Sequence, residues 1–103
     1  NNSDNCDRIN ACEGIGLVYA AMNGHPGDDE VQWRGCRVLQ NLAITDTIRR
    51  KIGSHSGVNL VYAAMTNHFQ SPTVQRHACG TLQNLARKNL PNCKRIVKCG
   101  GLE

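Results

Sequence analysis

The sequence is poor in aromatic residues, which make up 4% of its 103 residues. A core of ordinary size must therefore be aliphatic, with cysteine as a small filler. No apolar run approaches the roughly 18–20 residues that cross a membrane as a helix, and no stretch resembles a signal peptide. Alternating Val, Ile and Thr runs are missing as well, which argues against a sheet protein. These absences favour one helical domain, of cytoplasmic or nuclear location.

Acidic residues are nearly missing from the second half. Residues 1–51 contain seven acids and six Lys or Arg, a net charge of −1, whereas residues 52–103 contain one acid and six Lys or Arg, a net charge of +5. So few carboxylates leave little for acid–base catalysis, and we expect no enzyme. A basic surface attracts acidic partners, or it is simply solvated. Nucleic-acid binding through the basic C-terminal half is an alternative, although no run rich in Lys and Arg supports it.

The most informative feature that is present is an internal repeat. The segment LVYAAM occurs at Leu17–Met22 and again at Leu60–Met65, and LQNLA occurs at Leu39–Ala43 and Leu82–Ala86. Both pairs share an offset of 43 residues. Fixed periods of this size indicate helical solenoids or other repeat architectures. We divide the chain into a partial copy at 1–8, full copies at 9–51 and 52–94, and a partial copy at 95–103.

The six cysteines follow the same period, since Cys36 and Cys79 are also 43 residues apart. We interpret them as reduced apolar fillers rather than as a disulfide framework, which is typical of an intracellular protein. Cys6 and Cys12 have five residues between them, as do Cys93 and Cys99, and this spacing is wider than that of usual zinc pairs. No phosphate loop or catalytic triad order is visible, so we expect neither a metal nor a cofactor.

Each period contains signals for three helices. In the first copy we predict a short helix over 4–12 that ends at Glu13-Gly14, a second over 15–23, and a third from the cap Asp28 to about Thr45. In the second copy Ser71 is the expected cap, with Pro72 in the first turn. Asp46 or Thr47, and later Asn89, are expected to begin the short first helices. Gly35 and Ala78 share one slot, where a small side chain would let two helices approach closely.

The ordered elements resemble the armadillo repeat. The residues that carry the resemblance are Gly14-Ile15, Leu17-Val18, Glu30-Val31-Gln32 and Leu39–Ala43, with matching elements in the second copy. The resemblance implies an all-α, right-handed α-solenoid and a scaffold for protein–protein interaction, whose third helices line a groove that binds extended peptides. By position, Asn41 and Asn84 would be the amides that hydrogen-bond the peptide main chain.

Helical spacing adds basic neighbours to these amides. Arg34 and Arg37 lie on the same face as Asn41, and His77 and Arg87 flank Asn84. The tryptophan that nuclear-import members place one turn before the asparagine is replaced here by Arg37 and Gly80, so basic nuclear-localisation peptides are not expected to bind. We predict an acidic peptide partner, or else a purely structural spacer. Because each repeat buries its face only against neighbours, we also expect a fragment of a longer array or end-to-end self-association.

Overall fold

The computed structural model describes the backbone of residues 2–99 and the side chains of residues 13–99. Every regular element in this range is an α-helix, so the expected all-α class is confirmed. Within the same range no helix is both long and apolar enough to cross a bilayer. The six helices are α1 (Asn2–Gly24), α2 (Asp29–Leu42), α3 (Asp46–Ser54), α4 (Gly57–Asn67), α5 (Pro72–Ala86) and α6 (Leu90–Cys99).

Short polar side chains begin four of these helices. Asp28 accepts hydrogen bonds from the backbone N–H groups of α2, and Ser71 does the same for α5, where Pro72 occupies the first turn. Asn89 accepts from the N–H of Asn92 at the start of α6. Thr45 caps α3 instead of ending α2, which stops at Leu42, so the predicted end of the third helix was three residues too late. Such caps satisfy backbone donors that the first helical turn leaves unpaired.

The two copies differ where the first and second helices join. The predicted break at Glu13-Gly14 is wrong, because α1 continues through it. In the second copy the chain does break, and Ser56 between α3 and α4 takes a left-handed conformation with φ of 71°. Ala11 and Glu13 favour helix, whereas serine, which occupies the matching positions 54 and 56, is a weaker helix former that favours caps and turns. The equivalent glycines therefore differ in position, since Gly14 lies inside α1 and Gly57 is the first residue of α4.

The core is aliphatic, as the shortage of aromatic residues requires. Cys36 is fully buried within it, and α2 and α5 form the most extensive helix pair. Cys79 and Cys99 are exposed, and Cys93 is half-buried. Among the four cysteines whose side chains the structure describes, the interpretation as buried apolar fillers therefore holds for Cys36, and the other two, Cys6 and Cys12, lie outside the described side chains. The largest fully buried aliphatic side chains are those of Met22, Leu39, Ile52, Val58, Val61, Val74 and Leu85.

Two sets of polar contacts recur from copy to copy. The Nε2 atom of Gln32 donates to the carbonyls of Met22 and His25, and Gln75 makes the equivalent pair of bonds to Met65 and His68. Each amide thus ties the end of a second helix to the third helix that follows.

Tyrosine makes the second recurring contact, between successive units. The Tyr19 hydroxyl donates to the Ile52 carbonyl at 3.1 Å, and that of Tyr62 donates to the Ile96 carbonyl at 3.0 Å. The step from Ile52 to Ile96 is 44 residues, because α5 is one residue longer than α2 while the connections that follow the two helices have equal length. Lys88, in the connection that follows α5, has a positive φ of 49°. The half-buried packing predicted for the two tyrosines is confirmed.

The shared slot of Gly35 and Ala78 is buried in both copies. A Cβ atom at Gly35 would meet the Met22 side chain, at 2.6 Å from its Cγ. The small residue thus admits the side chain of a neighbouring helix rather than its backbone, which corrects our expectation. Met22 is 1% exposed, whereas Met65 above Ala78 is half-buried.

Candidate functional site

The predicted site residues lie on or beside α2 and α5, which pack against each other in parallel. At one end of the pair the Trp33 and His77 rings are stacked, with centroids 5.2 Å apart and an interplanar angle of 20°. Towards the other end the Nδ2 atom of Asn84 donates to the Gln40 carbonyl at 2.9 Å. Because both chain directions agree over these two contacts, His77 and Asn84 lie along one continuous seam. Arg34, Arg37 and Asn41 lie on the exposed surface of α2.

Thr81 closes the middle of this seam. Its buried hydroxyl lies 2.7 Å from the Cys36 carbonyl of α2 and 2.7 Å from the His77 carbonyl of its own helix. A hydroxyl supplies a single proton, so the two carbonyls compete for one donor. The bond from Thr81 to the Cys36 carbonyl links α2 and α5 at a point where both helices have small side chains.

Arg34 lies over the aromatic end of the seam. Its guanidinium carbon is 4.8 Å from the centroid of the Trp33 ring, a distance at which cation–π attraction operates. Arg34 also pairs with Glu30 at 2.9 Å, one helical turn earlier. Both charged side chains are 63% exposed, so the pair contributes little to stability and its ions remain accessible.

The two predicted amides have different surroundings. Asn41 is exposed, whereas Asn84 is half-buried and commits one N–H to the Gln40 carbonyl. Asn84 keeps its second N–H and its side-chain oxygen for another partner. The structure therefore places both amides on the α2–α5 pair, and Asn41 is the more exposed of the two.

Arg37 and Arg87 complete the predicted set, and both are exposed. Arg87 directly follows the last residue of α5. Between the two helices Gly80 leaves room for the Gln40 side chain, which a Cβ atom at Gly80 would displace.

The sequence reasoning did not include Trp33 in the site. Trp33 lies four residues before Arg37 and eight before Asn41 on α2, so its helical position was available from the sequence. Its stacking on His77 was not, because that contact depends on how α2 and α5 pack. The only tryptophan of the chain thus lies inside the candidate site.

Other chemistry is sparse in the part of the chain that the structure describes. No group of three or more His, Cys, Asp or Glu side chains there could hold a metal ion. Burial raises the pKa of the Cys36 thiol to about 12, and it raises the pKa of the Tyr19 hydroxyl to about 12. A raised thiol pKa opposes nucleophilic chemistry, because the thiolate is the reactive form.

A separate cavity of about 470 Å³ lies where α3, α4 and α6 meet, and Arg95 and Lys98 are among the residues that line it. None of the predicted site residues contributes to it.

Comparison with known proteins gives no assignment. No family model, no curated protein and no solved structure matches this chain.

Proposed function

We propose that this chain is an armadillo-type repeat protein that binds an extended acidic segment of another protein across α2 and α5. The observation that carries the proposal is the parallel seam between these helices, with the stacked Trp33 and His77 rings at one end, the accessible Arg34 over Trp33, and the exposed Asn41 two turns further along α2. A right-handed solenoid in which such helices form the inner face is part of the proposal. Its support is the ordered sequence elements and the copy-equivalent bonds of Gln32 and Gln75.

The chemistry of the seam matches a peptide main chain with acidic side chains. A primary amide offers a donor and an acceptor, as a peptide unit does, and arginine binds carboxylates through charge-assisted hydrogen bonds. Neighbouring helices pack about 8–10 Å apart, so each faces about three residues of extended chain at ~3.3 Å per residue. The seam would therefore contact about six residues.

We expect the affinity for such a short segment to be low. Each neutral hydrogen bond contributes about 0.5–1.5 kcal/mol, and exposed ion pairs typically contribute less than about 1 kcal/mol. Dissociation constants of about 0.1–1 mM are the expected range, since 1 mM corresponds to about −4.1 kcal/mol.

Trp33 provides the test, because it is the only tryptophan and lies in the site. Extended six- to eight-residue peptides rich in Asp and Glu should change its fluorescence in a saturable way, and basic peptides of equal length should not. Arg37→Glu should weaken binding at least tenfold. Arg50→Glu makes the same charge change at an exposed position on α3 and should leave binding nearly unchanged.

Two results would contradict the proposal. One is equal binding by the Arg37→Glu and Arg50→Glu variants. The other is binding of single-stranded nucleic acid in preference to the acidic peptides, with a steep loss on raising salt, which would favour the basic C-terminal half as the functional surface. Asn41→Ala is the cleaner amide variant, because Asn84→Ala also removes the bond to the Gln40 carbonyl.

A further inference from the structure

The seam between α2 and α5 is an interface between the two sequence copies. Because the copies are equivalent, α2 also has the residue positions that α5 uses in the seam, and α5 also has the positions that α2 uses. The α2 side consists of Trp33, Cys36 and Gln40, and the α5 side consists of His77, Thr81 and Asn84. With the offset of 43 residues, α5 carries Arg76, Cys79 and Gln83 at the positions of the α2 side. In the same way, α2 carries Arg34, Val38 and Asn41 at the positions of the α5 side.

The six residues that form the seam are more buried than their six copy-equivalent residues. Cys36 and Thr81 are fully buried in the seam, and the other four seam residues are half-buried. Their six copies are all exposed, including Val38 at 39%. No helix of the described range covers either set. We call Arg76, Cys79 and Gln83 the tail face, and Arg34, Val38 and Asn41 the head face.

We infer that the tail face of one molecule binds the head face of a second copy, in continuation of the α2–α5 seam. Val38 would stand opposite Cys79, where an apolar contact between the two side chains replaces the bond that Thr81 makes to the Cys36 carbonyl. The Asn41 amide would donate to the Gln83 carbonyl, as Asn84 does to Gln40. Because head and tail are different surfaces, the contact is heterologous and generates open chains or rings of molecules rather than a symmetric dimer.

Charge sets the strength of this contact. Arg76 would meet Arg34 where the internal seam has the stacked Trp33 and His77 rings. Two like charges in contact oppose association, so the wild-type contact is expected to be weak.

The test is the oligomeric state of the full chain under reducing conditions, measured by sedimentation velocity over a hundredfold concentration range. The average mass should rise with concentration. Val38→Lys disables the head and Cys79→Lys disables the tail, and each should keep the protein monomeric. Phe69→Lys is the matched control, because Phe69 is 70% exposed in the α4–α5 connection and should leave association unchanged.

Mixing the two monomeric variants separates a head-to-tail contact from a symmetric one. Each variant retains one intact face, so an equimolar mixture should form heterodimers and nothing larger. A mixture that remains monomeric would overturn the inference, as would association that survives Val38→Lys. A wild-type mass that is independent of concentration would overturn it too.

A variant that associates more strongly than the wild type is also needed, because a loss of association could result from unfolding of the variant. Arg76→Trp removes the like-charge contact and offers Arg34 of the second copy an aromatic ring, as Trp33 does within one chain. The dissociation constant should fall about 5- to 30-fold, as expected for a cation–π contact of moderate strength. An unchanged or larger constant would contradict the proposed register. None of these substitutions depends on the peptide proposal, since its fluorescence test can be repeated on each monomeric variant.

Discussion

The two copies of the repeat, residues 9–51 and 52–94, have the same local bonds but different surroundings. Gln32 and Gln75 bind equivalent carbonyls in both copies. Cys36 and Cys79 occupy equivalent positions in the two copies, but Cys36 is fully buried whereas Cys79 is exposed. The comparison teaches that the sequence of one copy determines its internal contacts, whereas the neighbouring copy determines which of its faces is covered.

The largest expected difference between the copies is chemical. At pH 8, N-ethylmaleimide should modify Cys79 within minutes and Cys36 about a thousandfold more slowly, because burial raises the pKa of the Cys36 thiol to about 12 and the thiolate is the reactive species. Tryptic peptides quantified by mass spectrometry over a time course give both rates in one sample. Equal rates would show that the two copies do not differ in burial.

Leucine truncation should separate the copies in stability. Leu39 is fully buried, whereas its copy Leu82 is half-buried. Leu39→Ala should lower the free energy of unfolding by about 2–5 kcal/mol, and Leu82→Ala by roughly half as much, in proportion to the apolar area lost. Urea unfolding followed by circular dichroism measures both. A larger loss for Leu82→Ala would contradict the packing described above.

Glycine substitution should have opposite signs in the two copies. A Cβ atom at Gly57 would lie 2.5 Å from the Ile52 carbonyl oxygen and 2.7 Å from the Tyr19 hydroxyl, so Gly57→Ala should destabilise by about 1–3 kcal/mol. Gly14 lies inside α1 with open space around it, and Gly14→Ala should stabilise by about 0.5–1 kcal/mol. Thermal unfolding of both variants checks the signs. A stabilising Gly57→Ala would mean that α3 and α4 are not broken as described.

The last expected difference is the dependence of stability on alkaline pH. Burial raises the pKa of Cys36 from 9.0 and of Tyr19 from 10.0, each to about 12. The unfolded chain therefore loses these protons first, and their contribution to stability is complete below pH 9 and is lost as the pH rises towards 12. Urea midpoints from pH 8 to 11 should fall, and they should fall less steeply for Cys36→Ala than for Cys79→Ala. Parallel slopes for the two variants would contradict the assignment to Cys36.

Much of the helical layout was predictable because it depends on neighbours in the sequence. Asp28, Ser71 and Asn89 begin helices as expected, since a short polar side chain next to an apolar helical stripe satisfies the first backbone donors. The missing break in α1 was not foreseen. The pattern predicts a break at Glu13-Gly14, although Ala11 and Glu13 favour helix where Ser54 and Ser56 of the second copy do not.

The site was predictable only in part, for a different reason. The helical face shared by Arg34, Arg37 and Asn41 follows from spacing alone. The stack of Trp33 on His77 and the bond from Asn84 to Gln40 join residues 44 positions apart. Such contacts depend on the packing of α2 against α5, which spacing within one helix does not specify.

The most direct test of a peptide-binding seam is an NMR titration of ¹⁵N-labelled protein with an acidic extended peptide. The account predicts that the Trp33 indole N–H and the side-chain amides of Asn41 and Asn84 shift together and saturate, with little change on α6. Shifts confined to Lys94, Arg95 and Lys98, or no saturable shift at Trp33, would contradict it.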